Sequence, residues 1–340
     1  MTKPAVLAVD GGNSKVDVAL VAANGSLLAA VRGPTISHQV VPLAAGAHAL
    51  AALVERARVE AGDGVVATPR IAVHGLAGAD YPEDVRQLRA AFEDAAPAAE
   101  VLVLNDTFAA LRAGASRPWG IALICGQGIN GAAVSPTGRR VRFAGVGDIA
   151  GDWGGGGSVG MAGLGAAVRA QDGRGPSTAL ERTIPAAVGL KRPDAVTHAY
   201  YAGRLDERRV TDLAPTVFAT AMAGDPVARA IIDRLADELA TMAAALARRT
   251  ALVRRDPDVV LAGGVFKTDD PGFHDRLRAG IARVIPAARV VRLAAPPVLG
   301  SALIGLDRLA PSGAASAAVA ARARADLEAW SATARVVTAS

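Results

Sequence analysis

The chain has 340 residues, 51% of them hydrophobic and 4% aromatic, enough for two domains whose cores are packed from Ala, Val, Leu and Ile rather than aromatic anchors. A formal charge of +5, from 37 basic against 32 acidic residues, comes without a dense Lys/Arg cluster interleaved with aromatics, which argues against a nucleic-acid partner. The single Cys125 excludes an internal disulfide and a multi-cysteine metal site within one chain, and no stretch of about 18 apolar residues marks an export signal or membrane span, so a cytoplasmic protein is expected.

The elements follow in chain order. Residues 5–31 read as strand, Gly-rich turn, strand, Asn24-Gly25 turn and strand. A helix is predicted from Pro42 to just before Gly62, then a strand, RIAVHGLAG, and a helix starting at Pro82. The run VLVLND is a buried strand that presents Asp106 at its end. After a crossover at RAGASRPWG the opening pattern begins again, with Gly126 aligned on Gly11, so the chain reads as an internal duplication. The segment GVGDIAGDWGGGGSVGMAG is a loop running into a helix. In the helical stretch from Asp225, the residues Val227, Ile231, Leu235, Leu239, Met242 and Leu246 mark one buried face. The strand PDVVLAGGVF, a helix near Phe273 to Val284, the strand ARVVRL and a helix from PPVLGSALIGLDRL complete the pattern. Two lobes are expected, 1–115 with the helix 299–310 packing back on it, and 116–298; the tail 311–340 is helical or disordered.

Several constellations could carry chemistry. In Asp10-Gly11-Gly12-Asn13-Ser14-Lys15, the glycines let backbone amides approach phosphate oxygens, Lys15 adds a point charge and Asp10 can hold hydrated Mg2+. The bland alternative is a tight hairpin with a solvated lysine. The run Gly126-Gln127-Gly128-Ile129-Asn130-Gly131 matches GxGxxG but continues as strand and turn rather than opening a helix, which rejects a dinucleotide site and favours a second phosphate hairpin. The P-loop pattern is absent. Asp106 either accepts a hydroxyl proton during phosphoryl transfer or caps the helix after it. The glycines of Gly151-Asp152-Trp153 and the four that follow imply unusual backbone angles, close ligand approach or a flexible loop, and Asp152 could accept hydrogen bonds from substrate hydroxyls. Gly263 and Gly264 would let a base or ribose lie against the backbone.

Taken in order, DGGNSK, NDTFAAL, GQGIN, GDWGGGG, LAGGVF and PPVLGSAL resemble the BadF/BadG/BcrA/BcrD ATPase family, especially its N-acetylglucosamine kinase branch, over residues 4 to 309. The resemblance implies an α/β fold of two duplicated actin-like (ribonuclease H-like) lobes with ATP and Mg2+ in a cleft between them. It gives Gly11, Gly12, Asn13, Ser14 and Lys15 to the first phosphate element, Gly126, Gln127 and Gly128 to the second, and Gly263 and Gly264 to adenosine. Asp10 would hold Mg2+ through water and Asp106 would be the catalytic base. Ser37, His38, Asp80, Asp106, Gln127 and Asp152 would meet the sugar. A homodimer is a family-level expectation.

Three departures bear on the sugar: Ser37 replaces an asparagine, Gln127 a threonine and Trp153 a glutamate, and an indole in the substrate cleft would reshape the pocket. One cysteine excludes the branch that activates acyl-CoA dehydratases through an iron–sulfur cluster, and nine residues before Asp10 leave no room for a repressor's DNA-binding motif. The expected function is ATP-dependent phosphorylation of an amino sugar such as N-acetylglucosamine or glucosamine, at its 6-hydroxyl. A non-catalytic sensor of the same fold is the alternative.

Overall fold

The computed structural model describes residues 3–62 and 67–335; the last five residues of the expected tail, 336–340, lie outside it. Two compact units emerge, one of Met1–Ala122, Ala132–Arg140 and Val291–Ser340, the other of Leu123–Gly131 and Val141–Val290.

The first unit is built on a five-stranded sheet of order β3-β2-β1-β4-β5, with β1 at Pro4–Gly11, β2 at Lys15–Ala22, β3 at Leu27–Pro34, β4 at Ile71–Leu76 and β5 at Val101–Asn105. The meander β1–β2–β3 is antiparallel, whereas β4 and β5 run parallel to β1. Helices cover both faces, so β1 is buried along its whole length instead of alternating. One face turns Leu7, Val9, Val16, Val18 and Leu20 into a core with α1 (Leu43–Glu60) and α2 (Pro82–Phe92). The other turns Val6, Ala8, Ala19 and Val21 toward α11 (Val298–Leu309) and α12 (Ala317–Thr333). By that period of two, Asp10, Lys15, Asp17 and Arg32 all fall on the α11/α12 face.

Between β5 and the second half lies α3 (Asp106–Gly114). It meets α11 backbone to backbone: a Cβ at Gly300 would come within 1.8 Å of the Ala109 carbonyl oxygen. A buried bidentate pair joins the same two helices, Arg112 Nε and Nη2 donating to Asp307 at 2.6 and 3.1 Å. Removing one partner would strand a buried charge, at a cost of about 3–5 kcal/mol. The tail forms α12, N-capped by Ser316 and anchored by the fully buried Ala323 and Leu327.

The second sheet has the order β10-β9-β6-β7-β8, from β6 (Gly120–Cys125), β7 (Ile129–Val134), β8 (Arg140–Arg142), β9 (Asp258–Ala262) and β10 (Arg289–Arg292). Numbering its strands from β6 reproduces the order of the first sheet, so the duplication read from the glycine turns is a duplication of topology. The second unit's helices are α4 (Gly155–Gln171), α5 (Leu180–Ala187), α6 (Pro193–Tyr201), α7 (Glu207–Thr211), α8 (Ala214–Met222), α9 (Pro226–Arg249) and α10 (Pro271–Val284). Along α9 the buried face holds Leu235, Leu239, Met242 and Leu246 as expected, but starts on Ala228 and Ile232; Val227 and Ile231 turn into a surface groove instead. No helix among the described residues is long and apolar enough to cross a membrane.

Candidate active site

In the first unit the carboxyl ends of the parallel strands β1, β4 and β5 present Asp10, the turn Gly75–Asp80, and Asn105-Asp106. This is the edge at which open parallel sheets take their ligands. Asp10 is 7% exposed. Burial pushes its carboxyl up to about 7; the Lys15 charge opposes this and the Asp106 and Asp17 charges add to it.

Asn105, not Asp106, caps α3. Its Oδ1 accepts from the Thr107 amide at 3.1 Å and from the Thr107 hydroxyl at 2.6 Å, while its Nδ2 donates to Asp80 Oδ1 at 3.0 Å. Asp106 is therefore the first helical residue, and its carboxylate is not spent on the cap. Sequence reasoning missed Asn105 as the link between the α3 cap and Asp80; an Asn ending a buried strand just before Asp-Thr is itself a cap signature.

The expected sugar contacts Ser37 and His38 lie on a turn packed against the first hairpin. Thr35 Oγ1 donates to the Gly12 carbonyl at 2.8 Å and Asn13 Nδ2 to Gln39 Oε1 at 3.2 Å. Ser37 is buried and its hydroxyl accepts from the Gln39 amide at 3.3 Å. Gly78 lets His38 approach, since a Cβ there would stand 2.6 Å from His38 Cε1. The His38 Nδ1 is buried without a partner. Asn13, Ser37, His38, Asp80, Asn105 and Asp106 thus all belong to one unit, with Gly12 and the Gly78 turn holding the loops together.

In the second unit, Gly126, Gln127 and Gly264 come together around a cavity of about 560 Å³, joined by Gly156. The two glycine runs are packed on each other: the Gly156 and Gly157 amides donate to the carbonyls of Gly126 and Gln127 at 2.8 and 2.9 Å, and the Gly126 amide to the Gly128 carbonyl at 3.0 Å. Glycine is obligatory at Gly263, where φ is +114° and a Cβ would lie 2.3 Å from the Cys125 carbonyl oxygen. At Gly264 the space is open. The remaining wall, with Thr211, Pro215, Phe218, Met222 and Lys267, was not foreseen. An apolar slot with a lysine and glycine backbone at its rim suits a planar base on a phosphate chain.

Asp152 follows a short 3-10 turn, Gly147–Ala150, and its Oδ2 is buried without a partner, an acceptor left for a ligand hydroxyl. The neighbouring Trp153 takes another direction from the one expected of it. Its ring lies under the Arg234 guanidinium at 3.8 Å and lines a groove with Ala162, Ala166, Val227 and Ile231 of α4 and α9.

No group of three or more His, Cys, Asp or Glu side chains suited to a metal occurs among the described residues. Mg2+ keeps several waters and takes one or two carboxylates plus substrate phosphates, so a single buried carboxylate such as Asp10 is compatible with it.

Two sheets of identical order, each opening on a strand, a glycine turn and a second strand, define a duplicated actin-like α/β protein. The chain belongs to the BadF/BadG/BcrA/BcrD ATPase family, whose model matches residues 7–305. It is 26% identical over 230 residues to the N-acetylmuramic acid/N-acetylglucosamine kinase of Clostridium acetobutylicum, covering 68% of this chain and 75% of that protein. Against the N-acetyl-D-glucosamine kinase of Dictyostelium discoideum it is 24% identical over 317 residues, covering 90% and 99%. A solved Chromobacterium violaceum protein, provisionally named an N-acetylglucosamine kinase, superposes with a TM-score of 0.64 at 25% identity, over 89% of this chain and 99% of that one.

Proposed function

We propose that this protein is an ATP-dependent kinase of an amino sugar, transferring the γ-phosphoryl group to the 6-hydroxyl of N-acetylglucosamine or glucosamine. The observation that carries the reading is Asp106 at the head of α3, where Asn105 makes the cap, close enough to the buried Asp10 for its charge to raise that carboxyl. The names of the two curated relatives support the amino-sugar class.

In this reading the first unit handles the acceptor. Asp106 accepts the hydroxyl proton as the sugar oxygen bonds to the γ-phosphorus and the bond to the bridging oxygen breaks, releasing ADP. Asp80, Ser37 and His38 orient the sugar, and Asp152 and Gln127 are taken as further sugar contacts. Gly11, Gly12, Asn13, Ser14 and Lys15 meet the donor's phosphates, as do Gly126, Gln127 and Gly128. Gly263 and Gly264 let adenosine lie on the backbone. Bound Mg2+ would neutralise charge on the phosphates, and Asp10, through water, is the residue to hold it. The cytoplasmic setting and the homodimer belong to the same proposal.

The test compares ADP release with N-acetylglucosamine, glucosamine and the 6-deoxy analogue of whichever sugar is turned over. Release with the parent sugar and none with the 6-deoxy compound is expected. Equal release with both refutes the assigned hydroxyl, and no release with any amino sugar refutes the substrate class.

A further inference from the structure

Asp17 on β2 is fully buried, and a buried carboxylate stays ionised only where cations hold it. Two do. Arg32 on β3 grips it with both ends of its fork, Nε on Oδ1 at 2.6 Å and Nη2 on Oδ2 at 2.9 Å, and Lys15 Nζ donates to the same Oδ2. Strand register sets Asp10 opposite Asp17 and Asp17 opposite Arg32, in one row across the sheet. Lys15, Asp17 and Arg32 together carry one positive charge, which faces the Asp10 carboxyl in the same row. It is carried at the open end of the row, since the Lys15 side chain is 34% exposed and that of Arg32 14%. Without Arg32, Asp17 would neutralise Lys15.

The outer face of Arg32 is closed by α12. The Trp330 ring centroid stands 5.2 Å from the guanidinium carbon. Nη2 donates to Ser331 Oγ at 3.5 Å and Nη1 to the carbonyl of Ala334, the C-cap of α12, at 3.3 Å. The last turn of α12 has no basic residue of its own, so Arg32 supplies the positive charge that the helix's negative end and its orphan carbonyl call for. The docking of α12 and the posture of Arg32 are one arrangement. This helix lies beyond residue 305, where the family match ends.

We propose that α12 is a positioning strap for the first phosphate hairpin: docked, it holds Arg32 on Asp17, so that the Asp17 charge is shared between Arg32 and Lys15 rather than spent on Lys15 alone and Lys15 retains positive charge for the donor's phosphates. Trp330, Arg32 and Asp17 are positioning residues that act through Lys15. The inference rests on the kinase reading, in which Lys15 meets the phosphates.

The test is a double-mutant cycle on the full chain, read by AMPPNP binding and by KM for ATP against kcat. Trp330→Leu keeps apolar bulk but loses the ring face, Arg32→Met loses the cation, and Trp330→Phe restores a ring. Trp330→Leu and Arg32→Met should each weaken AMPPNP binding and raise KM for ATP about five- to tenfold, with kcat nearly unchanged and Trp330→Phe close to wild type. In a Lys15→Met background, Trp330→Leu should cost nothing further. Thermal melts establish that each variant is folded, and should Trp330→Leu fail to fold, Arg32→Met carries the same cycle. Equal penalties in both backgrounds, or a loss confined to kcat, would overturn the strap while leaving the kinase reading intact. A wild-type protein that does not bind AMPPNP would overturn both.

Discussion

Asn105 donates to Asp80 Oδ1 at 3.0 Å while its own Oδ1 accepts from Thr107, so one side chain orients an expected sugar contact and fixes the start of the helix that opens with Asp106. Asn105→Ala should cost about 1 kcal/mol of stability through the lost cap. It should also raise KM for the sugar, because Asp80 loses its guide. A melt and a sugar titration check both, and a stability loss with unchanged sugar KM would leave Asn105 a cap alone.

Asp106→Asn separates the base from the cap. Turnover should fall by about 10²- to 10⁴-fold, the usual share of a general base, with AMPPNP binding retained. The melting temperature should stay near that of the wild type, since Asn105 makes the cap. A large drop in stability with modest loss of turnover would reverse the assignment.

The two adjacent glycines of the second unit should behave differently. Gly263→Ala forces a side chain into the Cys125 carbonyl at a left-handed backbone angle and should destabilise by about 2–4 kcal/mol. Gly264→Ala meets open space, so it should fold normally yet weaken nucleotide binding by intruding on the cavity. Paired melts and AMPPNP titrations distinguish them.

His74 on β4 is fully buried beside Phe92 with neither ring nitrogen partnered, and burial pushes its pKa down to about 4. The unfolded chain binds the proton near pH 6.5 and the folded protein only near pH 4. Between those values the unfolded state holds more protons at this site, so its contribution is intact above pH 6.5 and declines as the pH falls, by about 3 kcal/mol in all. Asp10, pushed up to about 7, takes its proton in the folded state over much of the same range and opposes this slope. The His74 contribution is therefore read as the difference between wild type and His74→Leu in denaturant unfolding, the variant losing the acid-side penalty. An identical slope in the variant would assign the effect to other groups.

The sheets were legible because glycine turns and short apolar runs punctuate them, and the repeat of that punctuation disclosed the duplication, though not the strand order. Helices α5 to α8 were not, because elements such as the five residues of α7 are too short to display a helical period. The cavity wall they build, with Thr211 and Phe218, was hidden for the same reason. In α12 only Ala323 and Leu327 are fully buried, leaving an alanine- and arginine-rich tail with almost no apolar stripe to read. Asp10, Lys15 and Asp106 stood out beside glycines and at a strand end. The grip of Arg32 on Asp17 did not, because cross-strand register has no signature in a single segment. Trp153 was legible as a departure but not in direction, since the α4/α9 groove that seats it is made by residues distant in sequence.

The most direct test of the kinase reading is ADP release by the wild-type protein with ATP and Mg2+, with and without N-acetylglucosamine or glucosamine. The reading requires release that depends on the amino sugar, saturates with it and yields a sugar phosphate in equal amount. ADP release indifferent to every amino sugar, or none despite AMPPNP binding, would contradict it.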